Sequence, residues 1–368
     1  MSFIDNIEIK NFKSIAHQKI EGCKRINVFV GPPNVGKSNI LEAVGLFSCL
    51  QIDSSSFRFN EICRLSRVAD LFFNKNINEY INIDINNHFG ITFFPPYSNN
   101  RVEESSPSET ENFDDFNFMI SDIGNRQVYT RGIDRGTQHT NITVNTSSFK
   151  IKKHSTQAFD RDLLYNKIKT YRYTDDVKYK SSKNYLSLNV PNGNNLVEIL
   201  HGNEELRKFF RDMIINSNLR LNIESNSTSF GVAKDLGDNT YVSFDNNLLA
   251  DTLKRTLFYK AAIISNHETV LLFEEPEANC FEPYILEITN SIKYDKNSNQ
   301  FFIVTHSQYV IDELLRDEES RKDTNIYLVG DSKGESKVKL LNKNTNDDVF
   351  RRGLNIFFNY KDLWEENS

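Results

Sequence analysis

Near the amino terminus Ile7, Ile9 and Phe12 alternate with polar residues and lead through Lys19-Ile20 to the nearly unbroken run Ile26-Asn27-Val28-Phe29-Val30. This pattern predicts two or three strands, the last buried on both faces. The run stops at Gly31, and from Ser38-Asn39 onward Ile40, Leu41, Val44, Phe47 and Leu50 recur at helical spacing. The order is therefore strand, glycine loop, helix. Ile81, Ile83 and Ile85 alternate with polar residues before Gly90-Ile91-Thr92-Phe93-Phe94, which predicts an antiparallel hairpin. Residues 198–215 have helical periodicity and 219–223 alternate as a strand. Residues 248–265, 270–273, 282–293 and 300–305 then read helix, strand, helix, strand, the alternation a parallel α/β sheet requires. Two alternating runs around Gly330 to Ser336 predict a closing hairpin.

Composition narrows the picture. At 368 residues the chain has room for a sizeable core, in one large α/β unit or in two or three average domains. A net charge of -6 supplies no global attraction for nucleic acid or anionic membrane, so any DNA contact must be local. Cys23, Cys49, Cys63 and Cys280 lack the spacing of a zinc site or disulfide framework and read as reduced. Nowhere do 18 apolar residues succeed one another, and Met1 to Asn6 does not open a signal peptide, so a cytoplasmic protein without membrane attachment is expected. Residues 103–115 carry six acids and no base, the composition of a solvated loop. Residues 150–183 carry ten Lys/Arg against four Asp, a balance of +6, with Tyr165, Tyr171, Tyr173 and Tyr179 interleaved. This is the one candidate basic patch, and a solvated lid edge is the plainer reading of it.

The segment Gly31-Pro32-Pro33-Asn34-Val35-Gly36-Lys37-Ser38 fits GxxxxGK[ST] between a strand and a helix. Its glycines let the backbone N–H groups turn toward phosphate oxygens, the helix amino terminus adds partial positive charge, Lys37 suits β/γ-phosphates, and Ser38 suits Mg²⁺. Asn39 opens the helix beside it. A guanine reader needs NKxD downstream, yet Asn74-Lys75-Asn76-Ile77 and Asn342-Lys343-Asn344-Thr345 both lack the Asp, which leaves adenine. Much later, Val270-Leu271-Leu272-Phe273 delivers Glu274 and Glu275 at the carboxyl end of a strand, where ligands of α/β sheets bind. Glu274 in this Walker B arrangement would orient Mg²⁺ and Glu275 would polarise an attacking water. The next strand ends at His306, whose imidazole could sense a γ-phosphate.

Together these residues resemble the ABC-type ATPase heads of the structural-maintenance-of-chromosomes, RecF and OLD lineage, mainly over residues 1–50 and 246–330. Glu274 to Ala278 followed by His306 is similar to the Walker B, catalytic glutamate and His-switch of stand-alone bacterial AAA-family ATPases, many of them from phage-defence operons. The resemblance implies an α/β P-loop NTPase, an ABC-ATPase-like head with a mixed sheet plus an inserted lid subdomain. By it residues 1–50 and 246–368 form the discontinuous head, 51–100 an antiparallel β layer, and 101–245 an inserted loop and lid. ATP and Mg²⁺ are the implied cofactors, and a homodimer or higher homo-oligomer sandwiching ATP the implied assembly. Ile7 to Ile15 looks like the lineage's first strand and its NF-basic-S turn, which makes Lys13 a candidate phosphate or adenine contact. The signature position holds Leu249-Ala250-Asp251-Thr252-Leu253-Lys254-Arg255, without the usual Ser-x-Gly. Asp251, Thr252 and Arg255 there offer either an anion contact in trans or an ordinary capped core helix.

Two functions follow from the resemblance. One is an ATP-gated switch that controls a partner effector encoded nearby. The other is a RecF-like repair head that binds DNA directly through residues 150–183. A third, an OLD-type nuclease, would need a metal-binding domain, and only 62 residues follow His306.

Overall fold

The computed structural model describes residues 3–51, 58–93, 115–122, 139–145, 150–155, 164–180, 186–224 and 229–366. The acidic stretch 103–115 falls outside these but for Asp115. The chain forms two compact units, one of Met1–Ile168, Asn325–Lys343 and Ile356–Ser368, the other of Lys169–Thr324 and Asn344–Asn355.

In the first unit β1 (Asn6–Phe12) turns back through Lys13-Ser14 into β2 (Ile15–Glu21). The fully buried β3 (Ile26–Val30) follows, then the phosphate-loop segment, α1 (Lys37–Gly45) and a 3-10 turn over Leu46–Gln51. The expected hairpin is β4 (Ile81–Ile85) and β5 (Phe89–Phe93), with β4 antiparallel to β1. Pairing sets Ile7 opposite Ile85 and Ile9 opposite Ile83, all four buried, so the period-two pattern fixes the register: a slip of one residue would turn every isoleucine to the other face. β6 (Asp115–Asp122), β7 (His139–Asn145) and β8 (Ile151–Ser155) extend the same sheet in the order β2-β1-β4-β5-β6-β7-β8. Phe93 and Phe118 stack at 4.5 Å across β5 and β6.

The second unit takes most of β9 (Ile168–Tyr171), the helices α2 (Leu196–Gly202) and α3 (Glu204–Ile214), and a separate antiparallel sheet of β10 (Leu219–Ile223), β11 (Phe230–Gly237) and β12 (Thr240–Asp245). The residues read as one helical stretch at 198–215 are thus two helices, divided at Asn203, whose side chain accepts from Leu206 N–H and caps α3. Then come α4 (Asp251–Ile264), β13 (Val270–Glu274), α5 (Glu282–Lys293), β14 (Gln300–Val304) and α6 (Gln308–Leu315). β13 and β14 run parallel, Leu272 opposite Phe302 and Glu274 opposite Val304, with β9 on the other side of β13. Strands covered on both faces need continuous apolar sequence, and Val270-Leu271-Leu272-Phe273 and Phe301-Phe302-Ile303-Val304 provide it.

The chain returns to the first unit in β15 (Thr324–Ser332) and β16 (Glu335–Leu340), joined by Lys333-Gly334, both at positive φ as a two-residue hairpin turn demands. β15 lies next to β3, and Phe29 stacks on Tyr327 at 5.0 Å. No disulfide joins the four cysteines, and among the described residues no helix is long and apolar enough to cross a membrane.

The Phe273 ring is fully buried, with Tyr259 at 5.0 Å, Phe301 at 6.0 Å and Tyr171 at 6.3 Å. Phe273→Ala is expected to lower the unfolding free energy of this unit by about 3–5 kcal/mol, since the cavity adds to the lost transfer energy. Denaturant titration followed by circular dichroism checks this, and a loss below about 1 kcal/mol contradicts such a core.

Candidate functional site

The site residues expected from sequence fall into two groups, one in each unit. In the first unit the loop leaves β3 at Gly31 and enters α1 at Gly36, whose φ is 91°. Only glycine fits either place. A Cβ on Gly31 would stand 2.0 Å from the Val329 carbonyl oxygen, and one on Gly36 would stand 2.1 Å from Ser336 Oγ and 2.4 Å from Ser14 Oγ. Asn34 also takes a positive φ, 62°, which Asn tolerates better than most residues. Pro32, Pro33 and Asn34 are exposed, Val35 is buried, and Ser38 and Asn39 are half-buried at the first turn of α1. The Lys37 ammonium is buried and donates to the carbonyls of Gly31, at 2.9 Å, and Pro32, at 2.7 Å. The loop therefore wraps its own cation.

Beneath the loop the NFKS turn meets the closing hairpin. Ser14 Oγ and Ser336 Oγ share a hydrogen bond of 2.5 Å, Ser336 N–H donates to the Ser14 carbonyl, and Asn39 Nδ2 donates to Ser14 Oγ at 2.6 Å. Ser336 lies 322 positions from its partner and carries no motif, so no sequence signal marks it. Lys13 sits at positive φ, with its ammonium on the buried carboxylate of Glu42 and on the Arg64 carbonyl at 2.6 Å. The residue expected to touch nucleotide thus has two protein partners. Arg64 Nε lies 3.0 Å from the same carboxylate.

In the second unit Glu274 ends β13 in register with Val304, and the Glu275 N–H still donates to the Val304 carbonyl at 2.8 Å. Glu275 itself turns to φ 44°, a left-handed conformation uncommon for a residue with a side chain and one that gathers at functional sites. Its Oε1 lies 3.4 Å from His306 Nε2 at the end of the neighbouring strand, both side chains being solvent-accessible. Two partners of this pair escaped the sequence reading. Arg172, just beyond β9, places a guanidinium nitrogen 2.7 Å from Glu274 Oε2. Glu277 is buried, and its Oε1 accepts from Thr305 Oγ1 at 2.5 Å and from His306 N–H at 3.0 Å. Burial, and then the nearby Glu275 charge, push the Glu277 carboxyl above the usual range against the pull of those two donors. The run of acids in Glu274-Glu275-Pro276-Glu277 was the available signal for Glu277; Arg172 stood out in no pattern.

The signature-like segment begins differently from the expectation. The N-cap of α4 is Ala250, without a side-chain bond, so neither Asp251 nor Thr252 caps the helix. Thr252 Oγ1 instead donates to the Asn279 carbonyl and accepts from Phe281 N–H, which ties α4 to the segment after Glu275. Arg255 lies 4.6 Å over the Tyr173 ring, its buried Nε 3.7 Å from Asp251 Oδ2 and without a hydrogen bond.

Three of the four tyrosines of the basic stretch pack against protein neighbours. Tyr171 is fully buried, Tyr173 carries Arg255, and Tyr179 packs on Phe230 at 5.8 Å. Among its cations Lys169 bonds to Ser187 and Asn266, and burial lowers its pKa to about 8, while Lys150, Lys152, Lys178 and Lys180 are exposed.

A family model described as AAA ATPase domain matches residues 3–265, well over half of the chain. The chain belongs to the AAA ATPase domain family. This AAA ATPase binds and hydrolyses ATP on a P-loop fold of mixed α/β content. It is 23% identical to an ATP/GTP phosphatase of Helicobacter pylori over 89% of this chain and 92% of that protein. It is also 35% identical to the DNA replication and repair protein RecF of Thermoanaerobacter sp., over 19% of this chain and 18% of that one. Among solved structures it matches an SmcHead bound to the C-winged helix domain of ScpA, 16% identical over 92% of this chain and 98% of that chain at a TM-score of 0.49. The SMC head domain from Thermotoga maritima matches at 11% identity over 93% and 100%, TM-score 0.41.

Gly36→Ala forces both a strained φ and a collision with two serines, so ATP affinity is expected to fall about tenfold or more, the scale of a 1–3 kcal/mol backbone penalty. Calorimetric titration of ATP measures it, and wild-type affinity in the variant contradicts the cradle.

Proposed function

We propose that this AAA ATPase is an ATP-driven switch in which Glu275 and His306 carry hydrolysis. The observation that carries this reading is their juxtaposition at the ends of two neighbouring parallel strands, with Glu275 held at positive φ. In this reading the backbone of Gly31 to Lys37 and the Lys37 ammonium hold the β/γ-phosphates, with Asn39 at the same helix terminus. Ser38 and Glu274 are the residues that would hold Mg²⁺. A cation of that kind keeps several waters and takes one or two protein oxygens besides phosphate, a donor set these two side chains match. When bound, Mg²⁺ neutralises charge on the β- and γ-oxygens. Arg172, 2.7 Å from Glu274, balances that carboxylate's charge. Glu275 accepts a proton from, or orients, the attacking water, and His306 hydrogen-bonds the γ-phosphate side of the site. The relative named ATP/GTP phosphatase, aligned along nearly its whole length, supports turnover and makes GTP the first alternative nucleotide to assay.

The finer parts rest on the resemblance of Glu274 to Ala278 and His306 to single-head ATPases. ATP closes a homodimer or higher homo-oligomer, with Asp251, Thr252 and Arg255 presented to the partner's nucleotide. Closure controls an effector protein encoded nearby, in anti-phage defence. The RecF match supports a second reading, direct DNA binding, but the packing of Tyr171, Tyr173 and Tyr179 on protein neighbours takes these three rings from base stacking.

Glu275→Gln is expected to lower kcat by about 10²–10⁴-fold, the scale of a lost general base, and to accumulate ATP-bound dimers by light scattering. Turnover within twofold of wild type in the variant removes Glu275 from the chemistry; unchanged mass with ATP removes the dimer. Tight DNA binding that falls steeply with salt turns the choice toward the second reading.

A further inference from the structure

Glu277 is the least economical residue of the second unit. Its side chain is buried, Oε1 takes two donors, and among the described residues no other residue donates to the buried Oε2. Burying half a carboxyl without a partner works against stability, and such groups are kept where they serve a site. The two donors show which site. Thr305 and His306 terminate β14, Ser307 N–H donates in turn to Thr305 Oγ1 at 3.0 Å, and Ser307 caps α6. Glu277 itself stands two residues after Glu275 in the turn that leaves β13. One oxygen therefore clips together the ends of the two strands that carry Glu275 and His306.

We propose that Glu277 is the positioning residue of the hydrolytic pair, fixing the backbone of His306 so that its ring lies against Glu275. This rests on the reading of Glu275 and His306 given above. Glu277 acts through the acceptor capacity of Oε1. The neutral acid, which burial favours, makes both bonds, and glutamine is its isostere: its amide oxygen can take the same two donors. Without the clip the imidazole has no fixed origin, and displacement of about 1 Å is worth up to 10²-fold in rate. In that reading the backbone of Gly31 to Lys37 and the Lys37 ammonium carry most of the phosphate binding and His306 adds one contact, so the loss belongs mainly in kcat rather than KM.

The test is steady-state ATP turnover by the full chain as wild type, Glu277→Ala, Glu277→Gln, His306→Ala and the Glu277→Ala/His306→Ala double variant. The expected result is a kcat loss of about 10–100-fold in Glu277→Ala with KM within about twofold, kcat within about threefold of wild type in Glu277→Gln, and a double variant no slower than His306→Ala alone, as residues acting as a unit behave. Should Glu277→Ala fail to fold, Thr305→Val removes the hydroxyl half of the clip and is expected to show the same loss and the same non-additivity with His306→Ala. Wild-type turnover in His306→Ala overturns the underlying reading and this inference with it. A large loss in His306→Ala beside an unaffected Glu277→Ala, losses that multiply in the double variant, or a glutamine variant as slow as alanine overturns the positioning role alone.

Discussion

The last rung of a parallel ladder, Glu275 N–H to the Val304 carbonyl, is the constraint on which the pairing of Glu275 with His306 depends. Up to Glu274 the two strands march in register, and burial on both faces goes with apolar side chains from Leu271 to Phe273 and from Phe301 to Val304. At Glu275 the backbone flips to the left-handed region, so consecutive acids meet different surroundings: Glu274 faces Arg172, and Glu275 faces His306. A residue with a Cβ is strained in that conformation, and the ladder bond from its N–H to Val304 anchors it there.

The phosphate loop is constrained in another way, by close approach. Gly31 and Gly36 leave no room for a methyl group because the closing hairpin and the NFKS turn pack directly against them. The serine pair Ser14 and Ser336 joins the two ends of the chain under the loop, so the amino-terminal strands and the carboxyl-terminal hairpin both belong to the phosphate-binding unit. A unit built from separated chain segments in this way is stabilised by contacts of high sequence separation.

Much of this was legible in the sequence because it is written locally. Strand, loop and helix around Gly31 to Ser38 follow from periodicity and glycine placement. The alternating isoleucines announced β1, β4 and their pairing face, and the apolar runs ending in Glu274 and Thr305 announced β13 and β14. What was hidden is pairwise and distant. Lys13 looked free for nucleotide because Glu42 is a plain helical residue until α1 buries it; Arg172 lies 102 positions from Glu274; and Ser336 is one serine among many. The helix of the signature-like segment starts at Asp251 with Ala250 as its cap, a choice set by Thr252 bonding to Asn279 and Phe281 rather than by capping preference. The antiparallel sheet also runs on through β6, β7 and β8, within the stretch read from sequence as loop and lid, where weak alternation gave little warning of strands.

In the proposed reading phosphate capture and hydrolysis rest on different side chains, Lys37 for the first and Glu275 for the second, and equilibrium ATP binding with Mg²⁺ by Lys37→Ala and Glu275→Gln tests that division most directly. The predicted result is affinity within about threefold of wild type in Glu275→Gln, which lacks only an interaction made in the transition state, and loss of binding in Lys37→Ala. Binding lost as fully in Glu275→Gln as in Lys37→Ala would contradict it.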